Sequence, residues 1–547
     1  MSSILIDGPV GGLEPCECVP LWLGETDVQP GRVLSYTEMT AETADRYGAG
    51  RALIDMLPDE VFLHVFHFYR ADAMDVVTGT WGWHTLVHVC RRWRQIILES
   101  QQSLDLRLLC TEKTPVRRTL DVWPPLPIIM ECRIPRTMLQ PPSQVTEDST
   151  GDDLIAALEH PDRIHQITVF GLTDLLLGKI APVMQEPFPV LTHLRLRVES
   201  CDDSATAAAL PDGFLGGFAP RLQRVWLEGI PCPSLPDILL SASVLVELRL
   251  DKIPDAWHIS PETLAAALST LPRLFSLSIE FQSPQLHPDQ TSQGLPPPRS
   301  HAVLPSLAIL FFKGVSEYFE DIVARIDTPR LSYAFIRFFN QLIFDVSHLP
   351  NFIRRTEKLK SLNRAEVFFD GQGVGIGFYL PETTVPRNLT LRILCSQSDW
   401  QLSCLTQLCD QSWPLLSRVE RLDIRECPSN SREPQWQDKM QWVDLFHPFT
   451  ALKALHIPRE LGPRIAPVLQ ELTEPRATGV LPALDSLVFE DIKPSGALQG
   501  AVERFIAARE FAGRPVDVRR WDDKWERDVE WEWDLAREWE RRLEVGD

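Results

Sequence analysis

Positive charge is scarce in this 547-residue chain: 54 Lys and Arg stand against 75 Asp and Glu, giving a formal net charge of −21. That balance argues against generic nucleic-acid binding, which needs a basic face, although a local basic groove stays compatible with it. Lysine is scarcest, with ten residues and none before Lys113. Arginine carries the rest, and its planar fork suits pairing along an extended surface. Genomic base-composition bias accounts for the same usage. No run of 18 apolar residues exists, so no membrane span is expected. Met1 to Leu5 lacks the basic region and long apolar stretch of a secretory leader. The 11 cysteines are scattered and odd in number, which fits reduced thiols. The expectation is a soluble cytoplasmic or nuclear protein.

Catalytic signatures are missing as well. The chain has no G-x-S-x-G, no P-loop and no H-E-x-x-H. Gly371, Gly373, Gly375 and Gly377 are spaced like a dinucleotide loop but precede a strand-and-turn pattern, so they read as a hairpin. Cys16 and Cys18 have no second ligand pair, and His84 and His88 read as surface or packing residues. Asn388-Leu389-Thr390 matches a glycosylation acceptor, without meaning in a cytosolic chain. No enzyme, metal or cofactor is expected.

What the chain does have, from about residue 160, is a repeat: apolar-x-x-apolar-x-apolar, often after a proline. Copies start at Ile164, Leu191, Leu222, Leu245, Leu274, Leu307 and Leu331, then at Val419, Leu452 and Leu484, with weaker ones near Leu359 and Leu391. Spacings from Ile164 to Leu331 are 27, 31, 23, 29, 33 and 24 residues; the gap of 88 to Val419 fits three units. This period is similar to that of leucine-rich repeats, ~20–29 residues with loop excess. Alternation places two side chains of each unit on one face of a short strand, and stacking neighbours buries that face. The return stretch Thr263–Leu268, after Ser260-Pro261-Glu262, reads as a capped helix. The Asn or Cys that regular repeats place after the strand is absent, except for Cys427, so the array is irregular. Residues 283–299 and 428–437 read as loops.

The residue between the two inward ones points to the other side of the strand. This predicts a row on the inside of the arc: Arg195, Trp226, Arg249, Ser278, Phe311, Phe335, Asp423, His456 and Val488. Exposed aromatics and arginines anchor interfaces, so Arg195, Trp226, Arg249, Phe311 and Phe335 are the candidate target-binding residues. Loops or a C-terminal helix folded over the row are the competing explanation. That helix is read in Trp521 to Leu543, which holds five tryptophans; its apolar residues fall within an arc of about 200°. It serves as a terminal cap or as a partner-binding handle.

Toward the N-terminus, Leu57-Pro58-Asp59-Glu60 opens an amphipathic pattern of Phe62, Phe66 and Tyr69, with Val61 and Val65 beside them. A second helix is expected over about Leu86–Leu98, carrying Val89-Cys90-Arg91-Arg92-Trp93-Arg94. The bland account is a helical hairpin. The ordered set Leu57, Pro58, Glu60, Val65, Phe66, Val89, Cys90, Arg91, Trp93 and Arg94 resembles the F-box, which docks on the Skp-type adaptor of cullin-RING ubiquitin ligases. The 22 residues between Phe66 and Val89 exceed the family's usual spacing. With Leu104–Leu108 following, the chain looks like the F-box-like proteins of mushroom-forming fungi, whose later part is commonly an irregular repeat domain. The resemblance implies adaptor contact through Leu57, Pro58, Glu60, Val61, Phe66, Val89, Cys90 and Trp93, and through the adaptor a cullin. It implies an unknown protein target on the repeats, with no nucleic acid and no membrane. A repeat-based scaffold without a ubiquitination role is the alternative.

The expected organisation is therefore α/β: a poorly ordered segment at 1–50, an α-helical F-box at 51–110, a linker at 111–152, an irregular leucine-rich-repeat-like solenoid at 153–515, and a Trp-rich helix at 516–547.

Overall fold

A computed structural model describes residues 57–72, 86, 89–99, 106–110, 116–122, 125–134 and 144–521. Within the last range, 199–208, 256, 258, 285–300, 342–343, 345, 381–386, 396, 411–412, 427–438, 459–460, 474–478 and 491–495 are excepted. The segment 1–50, His84, His88 and residues 522–547 lie outside the described residues, as does most of each expected insertion loop. The chain divides into two units, Met1–Phe68 and Tyr69–Asp547.

In the larger unit the strands are β1 (Leu106–Leu109), β2 (Ile128–Arg133), β3 (Ile164–Leu172), β4 (His193–Val198), β5 (Arg224–Glu228), β6 (Glu247–Ile253) and β7 (Ser276–Phe281). The short β8 (Ala302–Val303) and β10 (Ile326–Asp327) pair with each other, flanking β9 (Ile309–Gly314) in the chain. Then come β11 (Tyr333–Phe339), β12 (Arg364–Asp370), β13 (Gly373–Tyr379), β14 (Leu389–Leu394), β15 (Arg421–Glu426), β16 (Ala454–Ile457), β17 (Ser486–Glu490) and β18 (Asp517–Trp521). Among the described residues sixteen of these form one sheet, ordered β1-β2-β3-β4-β5-β6-β7-β9-β11-β14-β13-β12-β15-β16-β17-β18.

The repeat pattern explains the stack. Each pair of inward residues, such as Leu194/Leu196, Val225/Leu227, Leu248/Leu250, Leu277/Ile279 and Leu455/Ile457, is at most 2 % exposed. The leading leucine closes a turn: Leu222 N–H donates to Ala219 O, Leu245 to Ala242 O and Leu274 to Leu271 O. Without an asparagine ladder, the turns are tied by backbone. Gln223 N–H donates to Thr192 O (2.8 Å), Val246 to Gln223 O (2.7 Å) and Phe275 to Val246 O (2.8 Å), unit after unit. Return helices cover the inward face; in Pro261–Leu268 the Ser260 hydroxyl accepts from Thr263 N–H at 3.1 Å, as the sequence predicts.

Three boundaries differ from expectation. The sheet starts at β1 rather than near residue 153, because β1 pairs in parallel with β2 and β2 with β3. Residues 111–152 therefore include a helix (Val116–Val122), β2 and the start of the helix Gln144–Leu158 rather than a linker. Their strands carry no leading leucine at the repeat spacing, which hid them. At the other end, residues 517–521 are β18, parallel to β17, not the first turn of a helix.

The 88-residue gap holds no three regular units. From β11 the chain crosses to β12, turns back through β13 and returns along β14, so β13 is antiparallel to both neighbours. The copy near Leu359 sits three residues later, with Leu362, Ala365 and Val367 buried; Leu391 lies inside β14. The hairpin expected at the glycines is present at β12–β13. Gly375 is needed there: a Cβ would lie 2.4 Å from the Phe368 ring and 2.8 Å from Leu391 O.

Candidate functional site

Two surfaces deserve description as sites. The first is α1 (Asp59–Asp72), whose first turn is set by Pro58; its carbonyl accepts from Val61 N–H at 3.1 Å. Phe62 and Phe66, one turn apart, are 2 % exposed, with ring centroids at 5.9 Å. Phe66 is thus a packing residue, which corrects its expected place on a contact surface. Leu57, Val61 and Val65 recur every four residues and are 38 %, 39 % and 49 % exposed. Pro58 and Glu60 are also exposed.

The second motif opens α2 (Arg91–Glu99), five residues later than the expected start at Leu86. The Cys90 thiol caps it: Trp93 N–H donates to Sγ at 3.4 Å, and Arg94 N–H to Cys90 O at 3.1 Å. Val89 is 58 % exposed, Cys90 is exposed and Trp93 is half-buried, while Ile96 and Ile97 are buried.

The second surface is the sheet face opposite the inward residues. All nine residues expected in one row are in register. Arg195 pairs with Trp226, Trp226 with Arg249, Arg249 with Ser278, Ser278 with Phe311 and Phe311 with Phe335. After Thr390, Gly377 and Glu366 the row resumes through Asp423, His456 and Val488. Trp226 and Phe311 are half-buried and Phe335 is 9 % exposed, so the aromatics do not point into the interior between strand and helix.

Toward the N-terminal end of this face, rings and guanidinium groups alternate. Arg133 lies 5.4 Å from the Phe170 centroid, Arg195 4.4 Å from Phe170 and 3.3 Å from Trp226, and Arg249 4.1 Å from Trp226. In the middle, Phe311 packs on Tyr333 (5.5 Å) and Phe335 (6.3 Å), with Arg337 4.6 Å over Phe335. Burial pushes the Tyr333 hydroxyl up to about 12. Sequence reasoning missed Arg133, in the presumed linker, and Phe170, which follows the repeat pattern rather than occupying it.

Past the hairpin, arginines hold buried carboxylates instead. Asp423, 4 % exposed, accepts from Arg364 at 3.0 and 2.8 Å and from Arg421 at 3.0 Å, with His456 Nδ1 at 3.4 Å. Burial raises the Asp423 carboxyl, but His456, Arg364 and Arg421 more than offset it and hold it below the usual range. Burial lowers His456 to about 4. Glu366 is gripped by Arg387, Arg425 and the Tyr379 hydroxyl. On β6, burial raises Asp251 to about 6 although Arg249 contacts it and Ser278 donates to it at 3.2 Å. Among the described residues no His, Cys, Asp and Glu group could hold a metal, and no helix is long and apolar enough to cross a membrane.

No family model matches the chain, and no curated protein matches it. Among solved structures, it is similar to the leucine-rich repeat-containing protein LegL7 from Legionella pneumophila at 10 % identity. The match has a TM-score of 0.25 and covers 74 % of this chain and 97 % of that chain.

Proposed function

We propose that this protein is a substrate-recognition subunit of a Skp-cullin-F-box ubiquitin ligase, binding the adaptor through α1 and α2 and a protein target through the sheet face. The observation that carries the reading is the exposed stripe Leu57, Val61 and Val65 on a helix whose Phe62 and Phe66 are buried. Exposed Val89 and Cys90 open the second motif in the order the F-box resemblance requires. Such a stripe is costly to leave in water and fits an apolar docking partner. Catalysis lies with the ligase's other subunits, and the chain works as an adaptor rather than an enzyme, in cytoplasm or nucleus. The coarser statement, a protein-interaction scaffold built on a leucine-rich-repeat-like sheet, needs no adaptor.

The test is co-purification of the full chain with a Skp-type adaptor and a cullin. Replacing Leu57 and Pro58 together by Ala is expected to cost about 2 kcal/mol of binding, roughly thirtyfold in affinity, while melting of the repeat domain stays unchanged. Adaptor binding indifferent to the double substitution refutes this contact. Adaptor binding without cullin recruitment leaves the scaffold reading.

A further inference from the structure

The alternation of Arg133, Phe170, Arg195, Trp226 and Arg249 runs across five successive strands, β2 to β6. A guanidinium stacked on a ring keeps its N–H donors in the plane of the group, at the edge, where they suit a carboxylate. Among the described residues Trp226 Nε1 meets no acceptor, and the indole is held between the two guanidinium groups. The charges of this stretch oppose those of the chain. Six cations on these strands (Arg133, Arg195, Arg197, Arg224, Arg249 and Lys252) meet four carboxylates (Glu131, Glu228, Glu247 and Asp251) on a protein of net charge −21. Each of those carboxylates has a cation within 4.0 Å, and exposed Arg133 has no carboxylate partner among the described residues.

We infer that β2 to β6 form a docking surface for an extended acidic peptide segment of the target protein, with carboxylates at every third residue. The inference rests on the reading of the sheet face as target-binding. The spacing follows from geometry. Successive arginines of the ladder sit two strands apart, about 10 Å, and a peptide in the polyproline-II form, with three residues per turn, returns a side chain to the same face every ~9 Å. Flat or apolar side chains between the carboxylates cover Phe170 and Trp226. A short acidic peptide senses this local surplus of cations. A nucleic acid, as a long polyanion, meets the negative field of the whole protein.

The experiment uses the full chain and fluorescence anisotropy. The probe is a labelled ten-residue peptide with Glu at every third position and Ser or Tyr between. Controls are an isomer with the same Glu residues clustered and a Gln version. The every-third peptide is expected to bind at least tenfold tighter than both. Arg133→Gln and Arg195→Gln are each expected to weaken it about tenfold. Trp226→Leu should do the same and Trp226→Phe should restore most of the binding, with circular dichroism unchanged throughout. Equal affinity for the Glu isomers, or indifference to the Arg variants, overturns the inference. So does a thymidine oligonucleotide that outcompetes the peptide, which assigns the face to nucleic acid. Self-association abolished by Arg195→Gln assigns it to a second copy and also overturns the proposal. If the peptide fails while adaptor co-purification persists, only this inference falls. If the adaptor fails while the peptide binds, only the ligase reading falls.

Discussion

Strands β2 to β6 and strands β12 to β16 present arginine on the same face of one sheet, yet use it in opposite ways. In the first stretch the guanidinium groups lie on rings, with Trp226 between Arg195 and Arg249. In the second they clamp carboxylates that are almost fully buried, Glu366 at 2 % and Asp423 at 4 % exposure. In the first, Arg195 and Arg249 are the cross-strand neighbours of Trp226; in the second, Arg364 and Arg421, themselves neighbours, reach Asp423 two residues along the strand. In the stacked stretch Arg249 also bonds Asp251, while Arg133 is exposed and has no carboxylate partner among the described residues, which suits recognition. The paired stretch spends its donors inside the protein and suits stability, though a buried pair adds little over an apolar one unless every member stays in place. Breaking one member should therefore hurt the second stretch more than the first.

The sharpest test lies between the two stretches, at the hairpin that opens the second. A Cβ on Gly373 would lie 2.1 Å from Ile393 O, a backbone atom that cannot step aside. Gly373→Ala is expected to lose about 4 kcal/mol in chemical denaturation, since it forces β13 from β14. Gly375→Ala should lose less, because one of its clashes is the tip of the Phe368 side chain. A Gly373→Ala protein as stable as the parent breaks the picture of a tightly inserted hairpin.

Next in size is Asp423→Asn. Removing this charge strands Arg364 and Arg421 against each other; their side chains are about a third exposed and can turn partly to water. A loss of about 3 kcal/mol at pH 7 is expected, at the low end for a broken buried pair. The sign with pH follows from the depressed carboxyl. Its contribution is present above the unfolded pKa and disappears as pH falls through the folded one. Parent and variant should converge in acid; a gap that persists at pH 2 contradicts an ionised Asp423.

How much of this was legible in sequence depends on which residues carried the pattern. Leu191, Leu194 and Leu196 announce strand, register and inward face together, and the opposite row follows by alternation. All nine positions from Arg195 to Val488 lie in register, but Ser278, Phe335, Asp423 and Val488 are buried by their neighbours rather than exposed, which corrects Phe335 as a contact residue. Ile128 to Arg133 lacks the leading leucine and hides among prolines, so β2 and its Arg133 were invisible. The hairpin's glycines were legible as a turn, but reversal of β13 relative to its neighbours is a long-range choice that no local spacing encodes. The exposed stripe on α1 was partly legible: periodicity placed Val61 and Phe66 on one helix, but only packing separates exposed Val61 from buried Phe66. Cys90, an expected contact, has a thiol that also caps α2, which spacing alone does not reveal.

A smaller effect sharpens the comparison from the side of β6. Asp251 is raised to about 6 by burial, with Glu280 and Glu228 adding to it and Arg249 opposing. A folded pKa above the unfolded one means stability fully present below the unfolded value and lost as pH rises through about 6. The two aspartates thus bend the stability curve in opposite directions. Asp251→Asn, whose amide oxygen can still accept from Ser278, should gain about 2 kcal/mol relative to the parent at pH 8 and nothing at pH 3.5. Urea titrations at the two pH values read the difference. A variant less stable than the parent at pH 8 would mean that Arg249 governs this carboxyl more than burial does.

The smallest expected effect is Trp226→Leu. The substitution removes the ring between two guanidinium groups but leaves the inward residues Val225 and Leu227 untouched. Cation–π contacts of partly exposed groups are worth ~0.5–1 kcal/mol each, and leucine recovers part of the buried area. A loss of about 1 kcal/mol is therefore expected, well below that of Asp423→Asn, because Arg195 and Arg249 can reach water once the ring is gone. Paired denaturation curves of the two variants under identical salt make the comparison direct. If Trp226→Leu proves the costlier of the two, the stacked stretch is a structural clamp rather than a recognition surface.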